Sequence, residues 1–158
     1  MTKTKIDQQL LIKRPCLAIS DLERSLQVYQ DILGFKIDYQ SEASADSYLY
    51  SLFKFPPQAK LKFVSLSTET ELRALALTEV KGIELPAPTP PYRTAMVIRV
   101  TDIEETINEI RQLNLEVIPP NHFQTPPNLN FTEQAFWDFD GHLTMLYQVR
   151  SRSRSRVR

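Results

Sequence analysis

The side chains suited to chemistry are few and scattered. The 158-residue chain has two histidines, His122 and His142, and one cysteine, Cys16. The acids near the histidines are Glu133, Asp138 and Asp140. Imidazole and carboxylate brought together would hold a divalent cation or move a proton. Each also has a plainer use. Asp138 and Asp140 suit the Asp140-Gly141 turn, where short acidic side chains bond their own backbone. His142 follows that turn at an exposed edge, and His122 sits in a Pro-rich loop. Cys16 becomes a nucleophile only beside a base, and no His or Asp is expected near it, so it reads as a small buried residue. Arg14 and Arg99 carry the planar fork that grips carboxylate or phosphate; otherwise they pair with acids of the chain or of a second copy. Trp137, Phe136, Tyr48, Tyr50 and Phe53 either wall a planar ligand or belong to a core.

The elements that position these residues are legible because the chain repeats itself. Residues 17–26 read Leu-Ala-Ile-Ser-Asp-Leu-Glu-Arg-Ser-Leu, and residues 98–107 read Ile-Arg-Val-Thr-Asp-Ile-Glu-Glu-Thr-Ile. Asp21 falls on Asp102 and Glu23 on Glu104, at an offset of 81 residues. In each copy a short alternating strand runs into an amphipathic helix. Leu22, Leu26, Tyr29 and Leu33 form the first apolar stripe; Ile103, Ile107, Ile110 and Leu113 form the second. Ser20-Asp21 offers cap oxygens, Thr101 and Glu104 have capping-box spacing, and Gly34 fits the left-handed residue after a helix. Strands are expected at Phe35 to Tyr39 and Leu115 to Ile118. Each half then ends in a hairpin, Lys60 to Ser67 with Leu72 to Val80, and Asn130 to Phe139 with His142 to Gln148. Residues 44–53 read as a short helix or turn stopped by Pro56-Pro57. Residues 81–92, with Pro86, Pro88, Pro90 and Pro91, form a stiff linker. Residues 119–128 hold four prolines and read as a loop.

Composition narrows the function classes. One cysteine excludes a disulfide framework and a thiolate zinc cluster. The longest aliphatic run near the N-terminus, Leu10-Leu11-Ile12, is too short for a signal-peptide core or a membrane span, so a cytoplasmic protein is expected. The formal charge is zero, yet residues 150–158 alternate arginine with serine and hold five of the 19 basic residues. The rest carries 14 basic and 19 acidic residues, a net of −5. The body is therefore no evident nucleic-acid binder. Only the tail would touch phosphate, weakly, and it reads as a solvated, disordered terminus.

Two βαβββ modules joined by a Pro-rich linker, with Ser20-Asp21-Leu22-Glu23-Arg24-Ser25-Leu26, Tyr29, Ile32-Leu33-Gly34-Phe35 and Asp138-Phe139-Asp140-Gly141-His142-Leu143, resemble the vicinal oxygen chelate superfamily. That superfamily holds glyoxalases, bleomycin-resistance and fosfomycin-resistance proteins and extradiol dioxygenases. The last motif echoes its Asp-Pro-Asp-Gly turn, with Phe139 in place of proline. The resemblance implies an α+β fold in which two tandem βαβββ modules make a cup-shaped mixed sheet. It covers roughly residues 12–149 of a single domain expected over residues 1–149: module one at about 12–80, the linker at 81–92 and module two at about 93–149. It also implies a homodimer and a small-molecule ligand in the cup.

Enzymes of that superfamily hold one divalent metal through His or Gln on the first strands and Glu or His on the last. Carried over by motif, the first-strand positions are Arg14 and Ala95, and the last-strand position of module two is Met145. In module one the choice lies among Ala74, Ala76 and Thr78. None suits a hard cation, and an arginine repels one. The expectation is thus a protein without metal or cofactor that binds an organic molecule, the arginines favouring an anionic one, through Arg14, Cys16, Val97, Arg99, Trp137, Met145 and Tyr147. The rival is a glyoxalase-like lyase or isomerase, or a dioxygenase-related enzyme, whose unusual metal site is rebuilt from His122, Glu79 or Glu133. A third reading is an interaction module acting through the tail.

Overall fold

The computed structural model describes residues 9–151. Module one runs β1 (Cys16–Ile19), α1 (Leu22–Leu26), a π-helical continuation (Gln27–Ile32), β2 (Lys36–Glu42), α2 (Tyr48–Phe53), β3 (Lys60–Ser67) and β4 (Leu75–Lys81). Module two runs β5 (Met96–Arg99), α3 (Ile103–Gln112), β6 (Asn121–Thr125), β7 (Leu129–Trp137) and β8 (Leu143–Ser151). Each module makes a four-stranded mixed sheet, ordered β1-β4-β3-β2 and β5-β8-β7-β6. The first strand of each lies parallel to the last, and the remaining pairs are antiparallel. The two sheets share this order, and no ladder joins β1 to β5 among the described residues. No helix among them is long and apolar enough to cross a membrane.

The repeat sets both helix starts. Asp21 accepts a hydrogen bond from the Arg24 N–H at 3.0 Å, and Asp102 accepts one from the Glu105 N–H at 3.1 Å. The cap in module two is therefore Asp102, not Thr101, because the helix begins one residue later than the capping-box spacing suggests. A second acceptor reaches each start from the last strand. Glu79 Oε2 takes the Leu22 N–H at 2.6 Å, and Gln148 Oε1 takes the Ile103 N–H at 2.9 Å. Glu79 is thereby committed to capping α1.

Alternation divides each strand between two faces. Leu17, Ile19, Val64, Leu66, Leu75 and Leu77 of sheet one share one apolar core with Ile98, Phe136 and Leu146 of sheet two, together with the two helices. On the other face of sheet one, α2 lays Leu49 and Tyr50 over Ala18, Leu61 and Val80.

Four expectations are corrected. Residues 115–118 form no strand, only an isolated bridge from Val117 to Phe136; Pro119-Pro120 removes two ladder donors there. The edge strand is β6, inside the segment read as a loop, where exposed polar residues concealed its alternation. Helix α1 gives way to π geometry, with Leu33 N–H bonding Val28 O five residues back, and Phe35 N–H bonding Tyr29 O closes the helix end. Strand β8 also continues through Arg150 and Ser151. The rest of the expected tail lies outside the described residues.

Candidate functional site

The modules are joined by the turn from Asp138 to His142. Asp138 Oδ1 accepts from the N–H groups of Asp140 (3.0 Å) and His142 (2.8 Å), which closes the turn. Its Oδ2 accepts from the hydroxyl of Tyr29 in module one at 2.6 Å. Burial pushes the Tyr29 phenol well above its ordinary range, and the adjacent Asp138 charge adds to this. Burial also raises Asp138, opposed by His142 and the Tyr29 hydrogen bond. His142 Nε2 donates to the Ala18 carbonyl at 2.7 Å, and Asp140 Oδ1 accepts from the Ser20 N–H at 3.0 Å. The Arg24 guanidinium lies 4.9 Å from the ring centre of Phe139, which gives the Phe139 side chain a partner in module one. Gly141 has φ +81°, and a Cβ there would meet Pro88 of the linker at 2.7 Å. Turn, linker and the start of α1 are thus locked together.

Beside this lock lies a cavity of about 820 Å³ between the starts of β1 and β5. Arg14 and its repeat counterpart Ala95 both line it. Its walls include Leu17, Pro88, Tyr92, Met96, Val97 and Leu143. The one imidazole on its wall, His142, is engaged with Ala18. Arg14 Nη1 lies 3.4 Å from the Arg73 carbonyl, a long contact.

Of the seven expected ligand residues, this cavity brings together Arg14 and Val97. Trp137 lines a separate cleft of about 860 Å³ with Ser20 and Arg24, and packs on Tyr92 at 5.6 Å. Cys16 is exposed on β1, not buried as read. Arg99, Met145 and Tyr147 lie on the face of sheet two away from its helix. Register places Arg99 beside Tyr147, Tyr147 beside Glu133 and Val97 beside Met145. Glu133 accepts from Asn121 Nδ2 at 2.9 Å. The two ion pairs among the described residues, Arg24–Asp140 and Arg73–Asp38, include neither Arg14 nor Arg99. His122 stands on β6, its Nδ1 3.0 Å from Thr132 Oγ1, rather than in a loop over the cup. Phe136 is core, and Tyr50 bonds the Ala59 carbonyl at 2.7 Å. No three His, Cys, Asp or Glu side chains among the described residues are grouped to hold a metal ion.

A model of the Glyoxalase/Bleomycin resistance protein/Dioxygenase superfamily matches residues 11–146. The chain belongs to that superfamily. Similar solved structures include a glyoxalase family protein from Bacillus cereus, at 13% identity and TM-score 0.68, covering 94% of this chain and 98% of that one. The fosfomycin resistance protein of Listeria monocytogenes, solved with Mn(II) and sulfate, is 18% identical with TM-score 0.58, covering 89% and 93%. Glyoxalase I of Leishmania major is 19% identical with TM-score 0.54, covering 89% and 87%. At these identities the likeness establishes the fold. No curated protein sequence matches the chain.

Sequence reasoning missed Tyr29, assigned only to an apolar stripe, because its hydroxyl partner stands 109 residues away. It also missed Gln134 and Gln148. Aligning β7 and β8 with β3 and β4 would have exposed both as polar residues on a core-facing parity.

Proposed function

We propose that this superfamily member binds a small organic anion without a metal, as a cytoplasmic homodimer, in the cavity between the starts of β1 and β5. The observation that carries the reading is the lining of that cavity. Arg14 and Ala95 stand where the superfamily resemblance puts metal ligands, and a second guanidinium, Arg93, lines the cavity with them among mostly apolar walls. The cavity offers no carboxylate and one already bonded imidazole. That donor set does not fit a hard divalent cation, so no chemical step is assigned to one. It does fit an apolar molecule with one anionic group. Arg14 would take the anion in two parallel hydrogen bonds, and Leu17, Met96 and Val97 would cover the remainder. Pairing of two copies is supported by apolar side chains on the bare face of sheet two, where Val97 is 54% exposed and Phe123 39%. Light scattering should give twice the chain mass.

The binding test is a thermal-shift screen of organic acids on wild type, Arg14→Ala and Arg99→Ala. A charged hydrogen bond contributes ~1.5–3 kcal/mol. Arg14→Ala should therefore weaken binding roughly tenfold to a hundredfold. Arg99→Ala should change it little. Equal responses from wild type and Arg14→Ala, or a preference for cationic ligands, would refute the reading.

A further inference from the structure

A second cavity, of about 440 Å³, opens between α3 and the core-facing side of sheet two. Its floor is polar where a core would be apolar. Gln134 and Gln148 are only 8% and 7% exposed, and both line it beside Thr132. Each glutamine has one half of its amide committed. Gln134 Nε2 donates to the Ile118 carbonyl at 2.8 Å, and Gln148 Oε1 accepts from Ile103 N–H at 2.9 Å. The other halves, an acceptor on Gln134 and a donor on Gln148, have no hydrogen-bond partner among the described residues. Neither is among the atoms sealed from solvent. Arg111 and Arg150 stand on the rim against one acid, Glu104.

The repeat shows that the fold does not require this polarity at Gln134, whereas Gln148 is the counterpart of Glu79, each capping its own helix. Gln134 pairs with Leu146 in sheet two as Val64 pairs with Leu77 in sheet one. Gln134 is therefore the counterpart of Val64, which is fully buried and apolar. The free halves of the two amides face the open cavity, whereas module one closes over its sheet at the fully buried Val64 with no polar group there. A half-used donor and a half-used acceptor beneath two cations are what a ligand with a polar head and an anionic group requires.

We propose that the cavity beneath α3 is a ligand site distinct from the one between β1 and β5. It takes a small organic anion that also carries an amide-type donor and acceptor, as an N-acylated amino acid or a nucleobase does. The head is read by Gln134 and Gln148, and the anion is held by Arg111 and Arg150.

Calorimetric titration of the full chain tests this with N-acetylglutamate, the four nucleoside monophosphates, citrate and inorganic phosphate. N-acetylglutamate or a nucleoside monophosphate should bind about tenfold tighter than citrate or phosphate, and which of the two does so identifies the head group. Gln134→Val and Arg111→Gln should each weaken that binding about tenfold or more. Arg14→Ala should leave it unchanged. Arg111→Gln is a surface change, so it decides the matter even if the core variant fails to fold. The proposal is overturned if no probe saturates, if bare anions bind as tightly, or if the foldable variants bind like wild type. Loss through Arg14→Ala alone would place the ligand in the other cavity, sparing the first proposal and ending this one.

Discussion

Module one and module two share a strand order and a helix start, yet they differ on both faces of their sheets. Beneath its helix, module one places Val64 and Leu75 where module two places Gln134 and Thr144. On the opposite face, α2 covers part of sheet one, whereas Val97 and Phe123 of sheet two stand exposed. Beneath its helix module one is sealed and apolar, whereas module two opens a polar cavity there. The difference separates what the fold demands from what it merely tolerates. Shared features, such as the Asp21 and Asp102 caps, are structural; polarity present in only one copy needs another explanation.

Exchanging the unmatched residues should break the comparison most strongly. Val64→Gln puts an amide into a sealed apolar site and should cost about 3 kcal/mol or more in denaturant unfolding. Gln134→Val, the reverse exchange, should be near neutral or stabilising. Comparable losses from both would mean that Gln134 is structural.

Next comes the bond between the modules. Tyr29→Phe leaves Asp138 Oδ2 buried without its hydroxyl donor and should cost ~1–3 kcal/mol. The pH dependence gives an independent reading. Because the folded-state pKa of Tyr29 is raised, its contribution is complete below the ordinary tyrosine value near 10 and is lost as pH rises towards the folded value. Wild type should thus lose stability in alkali by a component that Tyr29→Phe lacks. Parallel alkaline profiles would contradict the assignment.

The smallest effect should also be the most symmetrical. Asp21→Ala and Asp102→Ala each remove one cap and should each cost about 1 kcal/mol. A cost confined to one of them would show that the repeat is not energetically equivalent.

Much of this architecture was legible because it is local. The two Asp-led helix starts, the Asp140-Gly141 turn and the span Lys60–Ser67 follow from spacing and alternation. Strand β6 was hidden because an exposed edge strand needs no hydrophobic alternation. The π-helical turn after Leu26 was hidden because periodicity distinguishes it poorly from an α-helix. At the candidate site, parity placed Val97 on β5 and Arg14 just ahead of β1, and both border one cavity. It could not show that Arg99 would lie outside that lining, since parity says nothing of how two sheets meet. Tyr29 and Asp138 were obscured by the same gap: their contact depends on how the modules dock, not on any local pattern.

The most direct test of the central claim, binding without a metal, is metal analysis of the purified full chain after dialysis against zinc, nickel and manganese. The account predicts well under one ion per chain, with the organic-acid thermal shift unchanged by a chelator. One stoichiometric ion per chain, lost together with ligand binding on chelation, would contradict it and restore the enzyme reading.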